Sequence, residues 1–227
     1  HKKKQIRPIR ADFRGQDLSK MGISLDGLDL SHVLLDDADI SYVSCRRTRF
    51  TFAKMRRVIA IGTDFSEANF MYTDCEGLIA KQAKFRHTVL EMGRFVRADF
   101  RCGEFYKPNF VSANLSEADM TCTNFCGYRI PIVRDLDVKI AGFISRPEYA
   151  LRSENFHTCK TVHNRAGWAV HLAGRPGYLL ERKLGTLAAG CLIYAVSCPY
   201  SPIPDMFEET VEAINSVYIA ARFNPPS

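Results

Sequence analysis

The stretch "ADISYVSCRRTRFTFAKMRRVIAIGTDFSEANFMYTDCEGLIAKQAKF", residues 38–85, decides the fold, because an apolar or small residue recurs in it at every fifth position. Helices repeat near 3.6 residues and strands repeat at two, so neither element explains this spacing. When the same phase is followed in both directions, all 22 positions from Leu25 to Ile130 carry an apolar residue. The period therefore indicates a third architecture over about half of the chain.

A second, smaller series accompanies the first. Two residues before each apolar position the chain usually carries Ala, Val, Thr or Gly, and the residue between is often Asp or Asn, as in "ADI" at 38–40 and "ANL" at 113–115. The early units "ADF" at 11–13 and "QDL" at 16–18 run two residues out of phase. This offset predicts a small insertion within residues 19–24.

These units resemble the A(D/N)Lxx motif of pentapeptide-repeat proteins over about residues 11–130. The resemblance implies a right-handed quadrilateral β-helix, a solenoid in which four units make one turn, so the fold class is mainly β. A narrow coil that holds one large and one small side chain on each face agrees with the close packing of protein interiors. We expect about six coils at about 4.8 Å spacing, with residues 20 apart stacked on each other.

Composition and charge indicate a globular chain without a strongly charged body. The chain has 227 residues, of which 46% are apolar and 25% charged, and its net charge is +6. Residues 1–10 alone supply five positive charges, so we predict a basic N-terminal tail there. Eight cysteines are too few for a secreted disulfide scaffold, and no apolar signal segment precedes the repeats. We therefore expect a bacterial or phage protein that is cytoplasmic, or that is delivered into a host cytosol if it is an effector.

The period of five stops after Ile130, and a different organisation is predicted from there. We expect a connector over residues 131–156, with a strand at Val138–Ile144, and then a small β-rich domain over residues 157–227. Its predicted strands are "HTCKTVH", "GWAVHLA", "GYLLERKL" and "LAAGCLIYAV", with glycine-containing turns between them. The apolar run Leu187–Val196 is too short to span a bilayer and is read as a buried strand, so no membrane contact is expected. One amphipathic C-terminal helix is predicted from Asp205 to about Phe223.

One outward column of the predicted coil is apolar. Residues 20 apart place Phe52, Tyr72 and Met92 in this column, with arginines on the neighbouring faces. Aromatic side chains framed by arginine are typical of the energetic centre of a protein interface. The predicted partner-binding residues are Arg46, Arg47, Phe52, Arg56, Arg57, Tyr72 and Met92. Two alternatives remain open, namely that the C-terminal part covers this strip or that the stacked rings only stabilise the rod.

Nucleic acid is the alternative partner. The basic tail together with Arg86, Arg101 and Lys107 could contact phosphates, although a solvated charged face explains these residues more simply. Some members of the resembled family mimic double-stranded DNA and act on type II topoisomerases. That mimicry requires a strongly negative surface, which this sequence lacks.

Metal and catalytic signals are weak. His157, Cys159 and His163 loosely match zinc-ligand spacing, with Cys191 and Cys198 further on, but the tight C-x2-C pair is missing. Cys159 or Cys191 beside a histidine is the best candidate for a nucleophile, without the signature of any cysteine enzyme. No metal, cofactor or catalytic residue is therefore predicted.

The outward cysteines Cys102 and Cys122 lie 20 residues apart, so they are predicted to stack within disulfide range and to remain thiols in a reducing compartment.

The predicted function is a non-enzymatic scaffold or adaptor that presents a rigid β-helix surface to a protein partner. The first alternative is a modulator associated with nucleic acid or topoisomerase. The second is a fragment of a bacterial effector in which, as the resemblance implies, pentapeptide repeats precede a ubiquitin-ligase lobe much longer than the C-terminal ninety residues here.

Overall fold

The computed structural model of this protein describes residues 11–144, 150–151 and 162–206. Its N-terminal part is a stack of four-sided coils. From Ser24 onward, parallel bridges join residues 20 apart on every side, and within the described residues one side runs through six rungs at Asp12, Leu34, Lys54, Asp74, Arg94 and Asn114. Three rungs lengthen into the parallel strands β1 (Lys84–Arg86), β2 (Glu104–Tyr106) and β3 (Asn124–Cys126). The predicted stacking of residues 20 apart is confirmed.

The insertion near the N-terminus is also confirmed. Asp12 bridges Leu34 and Asp17 bridges Asp39, so the first coil pairs across 22 residues, whereas Ser24 bridges Ser44 across 20. The two extra residues are accommodated within the turn at residues 19–22. From Ser24 onward the coil keeps its regular length through β3.

The interior of the coil is a column of aromatic rings. Phe65, Phe85, Phe105 and Phe125 stack on one side, with ring centroids 5.4, 4.6 and 5.5 Å apart. The first three of these side chains are buried, and Phe125 in the last coil is partly buried. Because a β-ladder places equivalent residues on top of each other, the spacing of the coils brings these rings to stacking distance.

Hydrogen bonds explain why the repeat often carries Thr at the small position and Asp or Asn at the position that follows it. Thr73 occupies a position that is elsewhere Ala, and its buried hydroxyl donates to the Phe50 carbonyl of the previous coil at 2.7 Å. Thr48, Thr63 and Thr88 donate in the same way at 2.8 to 2.9 Å. The intervening Asp or Asn supports the turn that follows, as Asn69 does by accepting from the Met71 N–H at 2.9 Å. Thus the buried hydroxyls of these four threonines are all paired with a carbonyl of the neighbouring coil.

Every corner of the coil is a tight turn. The Ala53 N–H donates to the Phe50 carbonyl at 2.9 Å, and the residue at the third position, Phe52, has φ of 59°. The same left-handed conformation recurs at each equivalent position from Gly22 to Gly127. Most of these positions carry side chains other than glycine, so the fold accepts a local conformational cost at its corners. In return, each corner side chain is held outward at a fixed spacing.

The predicted small β domain is wrong for the residues that the structure describes. The chain forms the helices α1 (Leu136–Ile144), α2 (Arg165–Leu172), α3 (Gly174–Leu184) and α4 (Thr186–Ser197), with the short parallel strands β4 (Ala150–Leu151) and β5 (Val162–His163) between α1 and α2. The predicted strand at Val138–Ile144 is therefore α1, and the predicted strand Leu187–Val196 is α4. The predicted helix after Asp205 lies almost entirely outside the described residues.

These helices form for recognisable local reasons. The Asn164 side chain accepts from the Gly167 N–H at 2.8 Å and caps α2. Gly185, with φ of 84°, separates α3 from α4. Eight of the twelve residues of α4, from Ala188 to Ala195, are buried, and a continuous apolar run is compatible with a buried helix as well as with a buried strand. Among the described residues no helix is long and apolar enough to cross a membrane.

The helices close one end of the coil. The Ser112 N–H, which would otherwise meet a further coil, donates to the Leu184 carbonyl at 2.7 Å. The Ile203 N–H donates to the Ala118 carbonyl at 2.8 Å, and Leu184 and Ile203 join the same hydrophobic core as the coil. An uncovered coil end would expose unpaired backbone groups, so this contact protects the edge.

The predicted domain boundary at residue 130 stays a prediction. The predicted boundaries at residues 10 and 156 lie outside the described residues.

Candidate functional site

One corner of the coil carries the apolar column predicted from the sequence. The rings of Phe52 and Tyr72 are parallel to within 1°, with centroids 4.9 Å apart. The His32 ring stacks on the other face of Phe52 at 5.2 Å and 6°. Met92 follows one coil beyond Tyr72, because the Tyr72 N–H donates to the Glu91 carbonyl. We call His32, Phe52, Tyr72 and Met92 the aromatic ladder.

The aromatic ladder is accessible in spite of its apolar character. Phe52, Tyr72 and Met92 are 46%, 45% and 43% exposed, so each leaves nearly half of its surface in water. The next residue at this corner, Ser112, donates its N–H to the Leu184 carbonyl of the helical part, whereas Phe52, Tyr72 and Met92 on the preceding coils keep the exposure given above. The C-terminal part therefore covers only the top of this corner within the described residues.

The face beside the aromatic ladder carries a cluster of ion pairs around Asp74. Its carboxylate accepts from Arg56 at 2.6 Å and from Arg94 at 3.2 Å, and Lys54 lies 3.6 Å away. Arg94 also pairs with Glu76. Burial raises the pKa of Asp74, but the hydrogen bonds from Arg56 and Arg94 outweigh this effect and hold the pKa below its ordinary value. The cluster is thus a fixed group of cations around one carboxylate.

Replacing Asp74 by asparagine should lower the free energy of unfolding at pH 7 by about 1 kcal/mol, because Arg56, Arg94 and Lys54 would lose their shared carboxylate. Their partial exposure keeps this cost at the level of a well-formed surface network. Since the native pKa of Asp74 is lowered, its contribution is complete above the ordinary value of about 4 and is lost as the pH falls through the native value. Urea denaturation should therefore show the two proteins converging below pH of about 4.

The control for this prediction is Asp29→Asn, in which an exposed carboxylate paired with the single cation Arg49 is removed. We expect a change of at most about 0.5 kcal/mol there. If both substitutions lowered the free energy of unfolding equally, the Asp74 cluster would stabilise the protein no more than a single exposed ion pair does.

The four predicted arginines do not form one frame. Arg56 belongs to the Asp74 cluster, and Arg57 makes two hydrogen bonds to Asp37 at 2.6 and 2.7 Å. Arg47 lies at another corner, 3.9 Å from Glu67. Arg46 lines a cleft of about 320 Å³ beside that corner. Of these four arginines, only Arg56 lies on the face next to the aromatic ladder. The predicted partner-binding residues therefore fall into two groups: the exposed apolar residues of the aromatic ladder together with Arg56, and the other three arginines, which lie further away.

The cations proposed for nucleic acid are also engaged within the protein. Arg86 pairs with Glu104 at 2.7 Å, and Arg101 pairs with Asp99 at 2.8 Å. The Lys107 ammonium lies 5.3 Å from the centre of the Tyr106 ring. A phosphate would have to compete with each of these contacts. The basic tail lies outside the described residues.

The cysteines considered for chemistry are poorly placed for it. Cys191 is buried in α4, and burial raises the pKa of its thiol to about 12, the opposite of what a nucleophile needs. Cys198 lies 4.0 Å from the Asp137 carboxylate, and burial raises its pKa to about 12 as well. Among the described residues, no group of three or more potential ligands could hold a metal ion. His157 and Cys159 lie outside the described residues.

Two features of the site are not among the predicted residues. His32 extends the aromatic ladder by one coil, and its position 20 residues before Phe52 was the available signal. The acidic partners of the arginines were also missed. They lie one coil away, 18 or 20 residues from the cation, as in Arg56 with Asp74 and Arg57 with Asp37.

Comparison with known proteins bears on the coil. The family model of pentapeptide repeats matches residues 48–86 with eight copies. No curated protein matches the chain significantly. Three solved structures illustrate the likeness, and the chain spans less than two thirds of the length of the first two of them.

The first is the pentapeptide repeat protein Rfr23 from the cyanobacterium Cyanothece 51142, with 17% identity over 38% of this chain and 59% of that chain, and a TM-score of 0.38. The second is HetL, a pentapeptide repeat protein involved in heterocyst differentiation regulation from Nostoc sp. strain PCC 7120, with 18% identity over 52% and 57% and a TM-score of 0.39. The third is a pentapeptide repeat protein from the Arabidopsis thaliana thylakoid lumen, with 21% identity over 57% and 77% and a TM-score of 0.28. The matched model thus identifies pentapeptide repeats at residues 48–86, and the same stacked four-sided coils extend on both sides of that range, from Asp12 to Cys126.

Proposed function

We propose that this protein is a non-enzymatic scaffold whose aromatic ladder binds a protein partner. The observation that supports this proposal is the exposure of Phe52, Tyr72 and Met92 on three successive coils at one corner of the rod, with the rings of Phe52 and Tyr72 stacked. Water disfavours such a strip, and exposed apolar patches mark interaction sites. Burying it against a partner removes that unfavourable contact.

Preorganisation favours binding at this corner. Phe52 and Tyr72 are held by their stacking on each other and by backbone hydrogen bonds to the next coil at 3.1 and 3.2 Å. A partner that covers them has little side-chain freedom to remove, so less of the contact energy is lost as entropy. Large, rigid aromatic side chains of this kind dominate the energetics of many interfaces.

The charges beside the aromatic ladder indicate the chemistry of the partner. On the face next to it and at the corner beyond that face, the cations Lys54, Arg56, Arg57, Arg94 and Arg97 lie beside the acids Asp36, Asp37, Asp74 and Glu76, which leaves a local charge of 5 − 4 = +1. The partner surface should therefore have an apolar centre with acidic groups on one side. Such complementarity sets the orientation of the complex and speeds its formation.

The test is affinity capture from the source cell with the wild-type protein, the double variant Phe52→Ser/Tyr72→Ser and the control Tyr42→Ser. Tyr42 is a 76% exposed aromatic residue at a different corner, so it matches the change in surface polarity. We expect the partner to be retained by the wild type and the control, and the affinity of the double variant for the purified partner to fall at least about tenfold.

Two outcomes would contradict this proposal. One is retention of every partner by the double variant, and the other is an equal loss in the Tyr42→Ser control. A normal circular dichroism spectrum for each variant ensures that a lost interaction is not caused by unfolding.

The nucleic-acid alternative makes a distinct prediction for the same protein. Binding through Arg86, Arg101 and Lys107 would weaken steeply with added salt because counterions are released. Docking on the aromatic ladder depends mainly on apolar contact and should change little between about 50 and 200 mM salt. We prefer the protein partner because these three cations already contact Glu104, Asp99 and Tyr106.

The effector alternative requires a reactive thiol. Burial of Cys191 and Cys198 opposes this role for both of them. Iodoacetamide kinetics would reveal an activated cysteine elsewhere, with Cys159 as the remaining candidate.

A further inference from the structure

The corner that contains Cys102 and Cys122 places two thiols on adjacent coils. Both residues occupy the third position of their turns, with φ of 56° and 59°. The Cys102 N–H donates to the Thr121 carbonyl at 2.9 Å, which fixes the stacking of the two coils at this corner. Bridges on either side, Asp99 to Asp119 and Glu104 to Asn124, hold the same register.

This register puts the two cysteines within reach of each other. Stacked coils separate equivalent Cα atoms by about 4.8 Å, and disulfides span about 4.4 to 6.8 Å between Cα atoms. Both cysteines occupy the equivalent position of the same corner, so their exposed side chains extend outward side by side. The two thiols are therefore neighbours in space before any reaction.

Accessibility distinguishes this pair from the cysteines of the core. Cys102 and Cys122 are exposed, whereas Cys45 and Cys75 are fully buried inside the coil. A water-soluble oxidant can reach the first pair without opening the fold. Cys126 is also exposed, but it lies on β3 and points from a different side of the coil.

We propose that Cys102 and Cys122 form an oxidation site that closes into a reversible intramolecular disulfide when a hydroperoxide is present. In the first step one thiolate attacks the peroxide oxygen, which yields a sulfenic acid and, with hydrogen peroxide and a proton, water. In the second step the other thiol displaces the sulfenic hydroxyl as water and forms the S–S bond. Two electrons pass from the pair to the peroxide, and an added dithiol returns them by thiol–disulfide exchange.

The geometry also explains why the bond should be reducible. Equivalent residues of stacked coils point their Cβ atoms in parallel, so these atoms start about 4.8 Å apart, beyond the mean of about 3.8 Å in disulfides. Closing the bond requires a small local shift of the corner. Disulfides formed with such a shift are more easily reduced than relaxed structural ones.

The cross-link would strengthen the coil where it meets the helical part. Cys122 belongs to the coil whose preceding corners contact Leu184 and Pro204. A disulfide between residues 20 apart restricts the unfolded chain and should raise the midpoint of thermal unfolding by about 5 °C. This proposal is independent of the aromatic ladder, which lies at another corner.

The experiment uses the full chain with Cys126→Ser, so that only two exposed cysteines remain at this end of the coil. The protein is treated with hydrogen peroxide, its free thiols are blocked with N-ethylmaleimide, and it is digested with a glutamate-specific protease without reductant. Cleavage after Glu104 and Glu117 separates Cys102 from Cys122. The expected product is a single cross-linked pair of these two peptides in more than about half of the protein, which dithiothreitol removes together with the gain in thermal midpoint.

The variants Cys102→Ser and Cys122→Ser are matched controls that should abolish both the cross-linked peptide and the thermal shift. Serine suits these positions, because Ser112 has the same left-handed conformation, with φ of 53°. The proposal is overturned if the Cys126→Ser protein keeps its circular dichroism spectrum but gives no Cys102–Cys122 peptide. It is also overturned if the main products are intermolecular dimers or sulfinic acids.

Discussion

Replacing Phe85 by alanine is expected to lower the free energy of unfolding by about 4 kcal/mol, the largest effect of any substitution considered for this protein. The ring is fully buried between Phe65 and Phe105, at centroid distances of 5.4 and 4.6 Å, and it meets Phe100 edge-on at 5.4 Å. The narrow coil is fixed by backbone hydrogen bonds on every side, so it cannot collapse around the gap. The variant therefore loses both transfer free energy and ring contacts.

Urea denaturation followed by circular dichroism measures this effect. The matched control is Phe52→Ala, which removes the same ring from an outward position that is 46% exposed, and we expect a loss below about 1 kcal/mol there. A loss at Phe85 no greater than that at Phe52 would contradict the internal stack. A small loss at Phe52 would also favour partner binding over a purely stabilising role for the aromatic ladder.

The coil could be predicted from the sequence because its geometry repeats with the chain. Each inward residue, such as Phe65 or Phe85, has the same environment as the residue 20 positions away, so the pattern identifies the core without knowledge of any other segment. The exposed pair Phe52 and Tyr72 follows from the same rule. Nearest-neighbour contacts of this kind make repeat architectures unusually readable.

The rest of the site depends on contacts that the period does not specify. Arg57 and Arg97 occupy equivalent positions at the same corner, two coils apart. Arg57 nevertheless pairs with Asp37, whereas Arg97 pairs with Glu76. Which acid lies within reach depends on the rotamers of long side chains and on the residue one coil away. The composition of the surface therefore predicted a cationic frame, whereas the structure shows neutralised pairs with a local excess of charge.

The sequence predicts strands where the structure has helices because glycine occurs both in turns and at close contacts between helices. The sequence pattern places Gly177 and Gly190 in predicted short strands separated by turns, whereas both lie inside helices. A Cβ at Gly177 would lie 2.4 Å from the Val170 carbonyl oxygen, so the glycine permits close contact between α2 and α3. Close helix packing and turn formation select the same residue, and only the tertiary contact distinguishes them.

Replacing Gly190 by valine should therefore lower the free energy of unfolding of the helical part by about 3 kcal/mol. A Cβ at this position would lie 2.5 Å from the Ala166 Cα and 2.8 Å from the Ala166 carbonyl oxygen. Because these are backbone atoms of α2, no side-chain rotation relieves the overlap, and α2 and α4 must separate. The loss of packing exceeds the small gain in helix propensity from replacing glycine.

The single tryptophan makes this effect measurable where it arises. Trp168 lies in α2, fully buried, with its ring centroid 5.2 Å from that of Phe143 in α1, so its fluorescence reports on the helical part. The control is Gly142→Ala in α1, where a Cβ meets nothing within 4 Å and where alanine should stabilise the helix by about 0.5 kcal/mol. Opposite signs at the two glycines are expected in the fluorescence transition. If Gly190→Val left that transition unchanged, the close contact of α2 with α4 would be wrong, and with it the way in which the helices close the coil.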